Sequence, residues 1–373
     1  MTALTGIFAA ILHFAGALKS TPLLAALPVD LSAVAALGLL ATLALLAAGC
    51  HWRVDPLLGL PLAACGALWL WLVLAGAWSP SRGILAAKLP DVVLLGPAML
   101  LAGMAVAAQT RALARCADAT LAIGAIVAVA ITWGLATDSI ILGGLPGASP
   151  DQLRVQYQIA GLTIASAAAM AAIRAAEATR LPARLGWLGI TGILSAAALM
   201  PGGRAALAAL ALAVSVAPAI SLWRAGRPGA AGLWPAAVLL GGAAVLSGVL
   251  ADPPLAAGLR TLERLSEGEV VQSSGRLPLW RAAAEQGGAA LPWGLGTGGF
   301  TIAAGHGERR GLYPHNHLLE ALAEGVATLA AAYRDALPAA AHPAELVEAI
   351  HRIEQAALAL ERFPNETLLL QSL

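Results

Sequence analysis

The sequence has few charged residues for its length. Of its 373 residues only 12% are charged, whereas 59% are hydrophobic and the mean hydropathy is +0.78. Soluble domains carry about 25% charged residues, so a water-soluble globule of this size would leave much apolar surface in water. The sequence therefore predicts an all-α, polytopic helical membrane protein.

Cysteine and net charge are scarce as well. The three cysteines, Cys50, Cys65 and Cys116, form no C-x-x-C pair, which excludes a disulfide framework and a cysteine-based zinc site. A net charge of +1 gives no bulk field that would attract nucleic acid. The first 20 residues are apolar but lack the basic start and the small-residue cleavage site of a signal peptide, so we expect a retained first span.

About ten spans are predicted, because a membrane helix needs ~20 apolar residues. Nine such runs lie near 3–18, 31–50, 57–78, 89–108, 119–136, 155–173, 185–200, 205–223 and 232–250. A weaker tenth run follows Asn316 and ends near Tyr333. Since it contains Glu320 and Glu324, we expect it to pack against protein rather than lipid.

These runs predict four regions. Residues 1–250 form a bundle of about nine spans, and 251–317 form one large external loop. Residues 318–333 form a last span or re-entrant helix, and 334–373 form a cytosolic tail with an amphipathic helix. A loop as long as 251–317 is usually functional.

Basic residues in the connections predict the orientation. One alternate set of connections holds eight basic residues, among them Arg174, Arg180, Arg184, Arg224 and Arg227, and the other set holds five. The positive-inside rule places the first set and the N-terminus in the cytoplasm, and the long loop outside.

Arg154 follows a strong helix-start signal on the external side. In the segment 149–152, Ser149 suits the N-cap, Pro150 the first helical position, and Gln152 a capping box. The segment predicts a helix with Arg154 in its second turn. The residue would bind an anion or simply extend its side chain to the membrane surface.

Arg204 is the second external arginine of interest. Pro201-Gly202-Gly203 interrupts two apolar runs and predicts a tight turn, which places Arg204 in the first turn of the next span. A cation at a helix N-terminus opposes the helix dipole. The position is explained by a bound anion, which free N–H groups and the guanidinium would hold together. The alternative is an ordinary interfacial arginine.

The long loop contains the remaining candidates. Residues 273–281 open a short helix that Gly287-Gly288 ends, and the glycine-rich stretch 293–300 then predicts a flexible loop near a ligand or the membrane. This stretch is no dinucleotide fingerprint, because no strand precedes it. In 315–317, two histidines flank an asparagine, but no third metal ligand lies nearby, so we predict no metal site.

His315 is the candidate base. Asn316 can cap the following helix, whose positive end disfavours an imidazolium and keeps the ring of His315 neutral. A neutral imidazole can accept a proton, as a general base must. The alternative is a capping or surface histidine.

Taken in order, these motifs resemble the O-antigen ligase and polymerase superfamily. The resemblance covers roughly residues 150–325. It rests on the Pro-Gly-Gly-Arg turn at 201–204, Gly275-Arg276 with Trp280, the glycine-rich stretch 293–300, Pro314 to Glu320, and Glu324-Gly325. Family members are glycosyltransferases of the bacterial inner membrane with one large periplasmic loop. They usually continue with further spans, whereas this chain turns polar at Arg334.

The resemblance implies transfer of a glycan from an undecaprenyl-diphosphate carrier to an acceptor hydroxyl, without metal or cofactor, at the periplasmic face. His315 matches the histidine that activates the acceptor. Arg204, Arg276 and Arg154 match arginines that hold the diphosphate, and Asn316 and Trp280 belong to the supporting motifs. The acceptor would be the lipid A core in a ligase, another glycan in a polymerase, or a protein serine in protein-glycosylating relatives.

Two other classes stay open. An anion transporter would line its path with Arg154 and Arg204, but it would be expected to show internal repeats and broken helices near the midplane. We find no repeat, and the candidate residues cluster on one side. The second class that stays open is a catalytically inactive scaffold.

Overall fold

A computed structural model describes residues 1–25, 27–49, 55–143, 153–201, 203–252, 259, 276–291, 293–308, 313–314 and 317–326. The chain divides into two compact units, and each is described separately. Unit 1 comprises Met1–Gly49 and Leu101–Val271, and unit 2 comprises Cys50–Leu100 and Gln272–Leu373. The predicted cytosolic tail 334–373 lies outside the described residues, as do 253–258, 260–275, 292, 309–312 and 315–316 of the predicted loop 251–317.

The described chain is a helical membrane protein by length and composition. Eight of its helices are long and apolar enough to cross a membrane: Leu31–Gly49, Gly59–Trp78, Arg82–Ala107, Thr110–Ala136, Tyr157–Glu177, Leu181–Leu199, Ala205–Arg224 and Pro228–Gly248. These helices match eight of the nine stronger predicted runs. The first run is instead split at Phe14 into the shorter helices α1 (Thr2–His13) and α2 (Ala15–Lys19).

Unit 1 is built around one central helix. In chain order its long helices are α4 (Leu31–Gly49), α8 (Thr110–Ala136), α9 (Tyr157–Glu177), α10 (Leu181–Leu199), α11 (Arg204–Arg224) and α12 (Pro228–Leu250); the one-turn α3 (Pro22–Ala25) precedes α4. In α9, 67% of the span is buried, against 6% in α12. The buried face of α9 consists largely of alanines, several of them with no exposed surface, such as Ala167, Ala168 and Ala171. Small side chains let neighbouring helices approach α9 closely, as is common in membranes.

Glycines mark the closest helix contacts of unit 1. A Cβ added to Gly124 of α8 would lie 2.2 Å from Cβ of Ala167 and 2.9 Å from the carbonyl oxygen of Thr163 in α9. A Cβ added to Gly6 of α1 would likewise overlap the backbone carbonyl of Ala112 in α8. Since both neighbours include backbone atoms, only glycine fits at these two positions.

One ion pair joins the ends of α2 and α4. Lys19 Nζ lies 2.7 Å from Oδ1 of Asp30, and both side chains are largely exposed. The same carboxylate oxygen accepts the backbone N–H groups of Ser32 and Ala33, so Asp30 caps α4. The hydrogen bond from Lys19 is the main reason that the pKa of Asp30 is lowered below its ordinary value.

Two short strands are the exception to the predicted all-α fold. Strands β1 (Ile140–Leu142) and β2 (Leu153–Val155) pair in parallel, with Ile141 opposite Arg154. Ile140, Leu142 and Val155 are buried, whereas Arg154 is exposed, which is the alternation expected of a half-buried strand. The predicted helix around Arg154 is therefore wrong, because α9 begins only at Tyr157.

Unit 2 combines helices from two distant parts of the sequence. It contains α5 (Gly59–Ala75), α6 (Arg82–Pro90), the start of α7 (Gly96–Ala107), α13 (Arg276–Ala289), α14 (Phe300–Ala303) and α15 (His317–Ala321), the last continuing as a π-helical turn to Val326. Single 3-10 turns, Pro56–Leu58 and Gly76–Trp78, flank α5. Ser81 caps α6 by accepting the N–H of Ile84 at 3.1 Å.

A π-helical turn joins α6 and α7. Pro90 at the end of α6 has no N–H for the helical ladder, and residues Asp91–Leu95 follow it as a π-helical turn. The helix nevertheless continues, so that Arg82–Ala107 is long enough to form one span.

Candidate functional site

The predicted diphosphate arginine Arg204 is the first residue of α11. Gly203 is the N-cap, and the preceding Pro201 is buried, so the Pro-Gly-Gly turn ends where the sequence predicted. Among the described side chains none caps the first turn of α11. Its free N–H groups form the positive end of the helix. The Arg204 side chain lies outside the described part of the structure.

The starts of α9 and α11 pack side by side. A Cβ added to Gly203 would lie 3.8 Å from the carbonyl oxygen of Tyr157, and one added to Gly161 would lie 2.9 Å from Cβ of Ala206. Because β2 ends two residues before Tyr157, Arg154 lies at the same end of unit 1 as the N-terminus of α11. Two of the predicted diphosphate arginines thus share one end of this unit.

The strand pair fixes the backbone at Arg154. The N–H of Leu153 donates to the carbonyl oxygen of Ser139 at 3.1 Å, and the N–H of Gly143 donates to that of Val155 at 2.7 Å. Arg154 is held between these two hydrogen bonds and is exposed at this end. A rigid backbone with an exposed guanidinium is suited to anion binding, although the secondary structure differs from the predicted helix.

In unit 2, Arg276 and Trp280 lie one turn apart at the start of α13. Arg276 is half-buried, as is Trp280. The indole N–H of Trp280 donates to the carbonyl oxygen of Pro314 at 2.8 Å. Trp280 therefore holds the backbone immediately before His315; its supporting role in the site stays a prediction.

His315 and Asn316 themselves lie outside the described residues. The helix predicted to follow them does begin there, since α15 starts at His317. The roles of His315 as base and of Asn316 as cap remain predictions.

The glycine-rich stretch packs tightly within unit 2. Gly294, Gly296 and Gly298 have φ between +74° and +82°, which a glycine adopts without steric cost. A Cβ added to Gly296 would lie 2.9 Å from the backbone of Ser79, and one added to Gly294 would lie 2.4 Å from Cα of Gly325. The glycines therefore permit close backbone packing, so the stretch is not the flexible loop that the sequence predicted. Its approach to a ligand or to the membrane stays a prediction.

Thr297 attaches this stretch to the end of α5. Its hydroxyl donates to the carbonyl oxygen of Leu72 at 2.6 Å, and its N–H donates to that of Ala75 at 3.2 Å. These carbonyls belong to the last turn of α5, where Leu72 and Ala75 thus accept hydrogen bonds from outside the helix. Phe300, which follows, is 1% exposed and belongs to a small apolar cluster with Ala283 and Ala323.

A buried ion cluster, which we call the Lys88 triad, lies within unit 2. Lys88 Nζ is 2.5 Å from Oε1 of Glu320 and 2.7 Å from Oε1 of Glu324. As residues, the two glutamates are 9% and 3% exposed. The prediction that this segment packs against protein because of its glutamates is confirmed.

Lys88 lies just before the predicted apolar run 89–108, so the sequence placed it in a connection between spans and did not indicate the triad. The structure places Lys88 in α6, inside the helical stretch Arg82–Ala107. An ionisable side chain in an apolar segment normally has a partner, and two glutamates four residues apart share one helix face. These two signals together would have suggested the pairing.

Further contacts fix the segment that follows His315. The indole N–H of Trp71 donates to the carbonyl oxygen of Gly325 at 2.8 Å, and the N–H of Leu295 donates to that of Ala323 at 3.0 Å. Together with the triad, these bonds hold residues 317–326 against α5 and α6. A catalytic group at the start of this segment would therefore be attached to a rigid support.

No three His, Cys, Asp or Glu side chains converge as metal ligands within the described ranges. Arg154 and Arg204 belong to unit 1, and Arg276, Trp280 and His315 to unit 2; their convergence on one substrate stays a prediction. Comparisons of the chain with protein-family models, curated proteins and solved structures find no match.

Proposed function

We propose that this protein transfers a glycan from an undecaprenyl-diphosphate carrier to an acceptor hydroxyl at the periplasmic face of the bacterial inner membrane. The acceptor that we favour is the lipid A core, as in O-antigen ligation. The observation that carries the proposal is that Arg154, just before α9, and Arg204, the first residue of α11, lie at the same end of unit 1.

The chemistry of this end of unit 1 supports its proposed role as a diphosphate site. A diphosphate leaving group needs stabilisation of its negative charge, and arginine pairs with phosphate oxygens through two parallel hydrogen bonds. The free N–H groups of α11 add the partial positive charge of a helix N-terminus. Arg276, at the start of α13, is the third cation of the proposed mechanism.

In the proposed mechanism, His315 accepts the proton of the acceptor hydroxyl. The oxygen then attacks the anomeric carbon of the glycan, and the bond from that carbon to the diphosphate oxygen breaks. The undecaprenyl diphosphate leaves with its charge held by the arginines. Trp280 and the Lys88 triad support the backbone on either side of His315.

Purified protein in liposomes with a lipid-linked glycan donor and lipid A core tests the proposal. His315→Ala should abolish transfer while the protein still inserts. Arg204→Lys should lower the rate about a hundredfold, corresponding to about 3 kcal/mol for one preorganised contact, because lysine lacks the planar fork. Arg224→Lys, at the opposite end of the same helix, is the matched control and should remain active. Near-normal transfer by Arg204→Lys would contradict the diphosphate role.

Surface glycolipids of a deletion strain identify the acceptor. Loss of all long chains attached to the core supports a ligase, and single-repeat chains support a polymerase. Unchanged lipopolysaccharide, together with loss of a glycoprotein, supports a protein acceptor. Unchanged glycans of every kind, together with loss of anion flux in vesicles, would support the transporter instead.

A further inference from the structure

A cavity of about 260 Å³ lies at the other end of unit 1, away from Arg154. It is bounded by the end of α9, the start of α10, the end of α11 and the start of α12. Two arginines, Arg184 and Arg227, line it. The remaining lining residues are apolar: Ala176, Leu222, Ala230, Leu233, Trp234 and Ala237. We call it the α10–α12 cavity.

The two arginines are placed where helix dipoles leave positive charge unbalanced. Arg184 lies in the first turn of α10, and Arg227 immediately precedes α12. Neither helix has an acidic residue in its first turn. Cations at two helix N-termini are unfavourable in isolation and become favourable when an anion binds between them.

Arg184 has a donor that is still available. Its Nη2 donates to the carbonyl oxygen of Ala178 at 2.9 Å, whereas its Nε is buried without a partner among the described residues. The nearest acidic residue on these elements is Glu177, whose carboxylate accepts the hydroxyl of Ser221 at 3.4 Å. A buried donor of this kind normally has an acceptor.

The apolar wall of the cavity is rigid on one side and open to lipid on the other. The indole N–H of Trp234 donates at 2.8 Å to the carbonyl oxygen of Val214, whose usual helical donor is missing because residue 218 is proline. The Trp234 ring is therefore fixed. Leu233 beside it is 71% exposed on a helix that is mostly lipid-facing.

We propose that the α10–α12 cavity binds an anionic phospholipid, with its phosphate on Arg184 and Arg227 and an acyl chain along Leu233 and Trp234. The positive-inside rule predicts that this end faces the cytoplasm. Basic pockets between membrane helices on that side bind acidic headgroups. The proposal concerns a site separate from the glycan-transfer chemistry and does not depend on it.

Native mass spectrometry of the delipidated protein in detergent, titrated with dioleoyl-phosphatidylglycerol, tests the proposal. Arg184→Gln/Arg227→Gln should weaken binding about 30-fold, at about fivefold for each basic residue. Arg180→Gln/Arg224→Gln removes two exposed arginines at the same end of unit 1, the N-cap of α10 and the last residue of α11, that do not line the cavity, and should change binding little. Arg227→Gln alone, which leaves the Arg184 hydrogen bond intact, should weaken binding about fivefold.

Two further ligands distinguish the source of the phosphate. Dioleoyl-phosphatidylcholine should bind more weakly because its headgroup carries no net charge, and glycerol phosphate should bind more weakly because it lacks acyl chains. Equal binding of phosphatidylcholine would overturn the proposal, as would equal binding of glycerol phosphate. Equal losses in the cavity and control double variants would also overturn it, since the effect would then be one of surface charge.

Discussion

Replacing Lys88 by methionine should destabilise unit 2 strongly. The change would leave two carboxylates, on residues 9% and 3% exposed, without their cation. Removing one partner of a buried ion pair costs about 3–5 kcal/mol, because the remaining charge stays desolvated. At roughly 2–4 °C per kcal/mol for 150–250 residues, the melting temperature should fall by about 6–20 °C. Tryptophan fluorescence during heating in detergent measures the change, since Trp71 lies in the same unit.

The glutamate variants make this test specific. With both carboxylates ionised, the triad has one negative charge in excess. Glu320→Gln removes that excess and leaves Lys88 paired with Glu324, so it should destabilise the protein less than Lys88→Met. Neutralising all three groups should recover most of the stability, because no unpaired charge remains. Lys19→Met is the matched control, since its ion pair with Asp30 is exposed and screened by solvent. A melting temperature of Lys88→Met equal to that of the control would refute the reasoning.

Three smaller predictions concern unit 1 and are checked by thermal unfolding. Gly124→Ala should lower stability by about 1–3 kcal/mol through overpacking against α9, whereas Gly186→Ala, with no atom within 4 Å, should be tolerated. Trp234→Phe should cost about 1–3 kcal/mol because it leaves the carbonyl of Val214 without a donor. The cost should be smaller in a Pro218→Ala background, where the N–H of residue 218 can bond that carbonyl. Equal costs in the two backgrounds would contradict this. Because the pKa of Asp30 is lowered, its contribution to stability is present above its unfolded pKa and is lost as the pH falls through the folded value. Asp30→Asn should therefore reduce the acid sensitivity of the melting temperature, and an unchanged pH profile would refute this.

The sequence predicted the features that depend on local signals. Long apolar runs identified the membrane helices, and Pro-Gly-Gly identified the turn before Arg204, because these residues restrict the backbone wherever they occur. The start of α15 after Asn316 followed from similar local reasoning. In each case the deciding interactions lie within a few residues of chain.

The features that the sequence did not predict depend on distant partners. The strand at Arg154 forms because Leu153–Val155 pairs with Ile140–Leu142, and capping signals in 149–152 carry no information about that partner. Lys88 is 232 residues from Glu320, so its local sequence did not identify which residues are its partners. The glycines of 293–300 predicted a flexible loop near a ligand or the membrane. Their actual packing partner, the end of α5, is more than 200 residues away in the chain, so the local sequence did not indicate it.

The attachment of this glycine-rich stretch determines how the region 251–317 can be handled in isolation. Its hydrogen bonds run from Thr297 to α5 and from Leu295 to Ala323, and Glu308 accepts the hydroxyl of Ser81 at 2.7 Å. An excised fragment spanning 251–317 would lack these partners and would expose polar backbone groups and Phe300 to water. Such a fragment should aggregate or stay unfolded rather than fold independently, so a soluble form of it is unsuitable for antibody production or ligand screening.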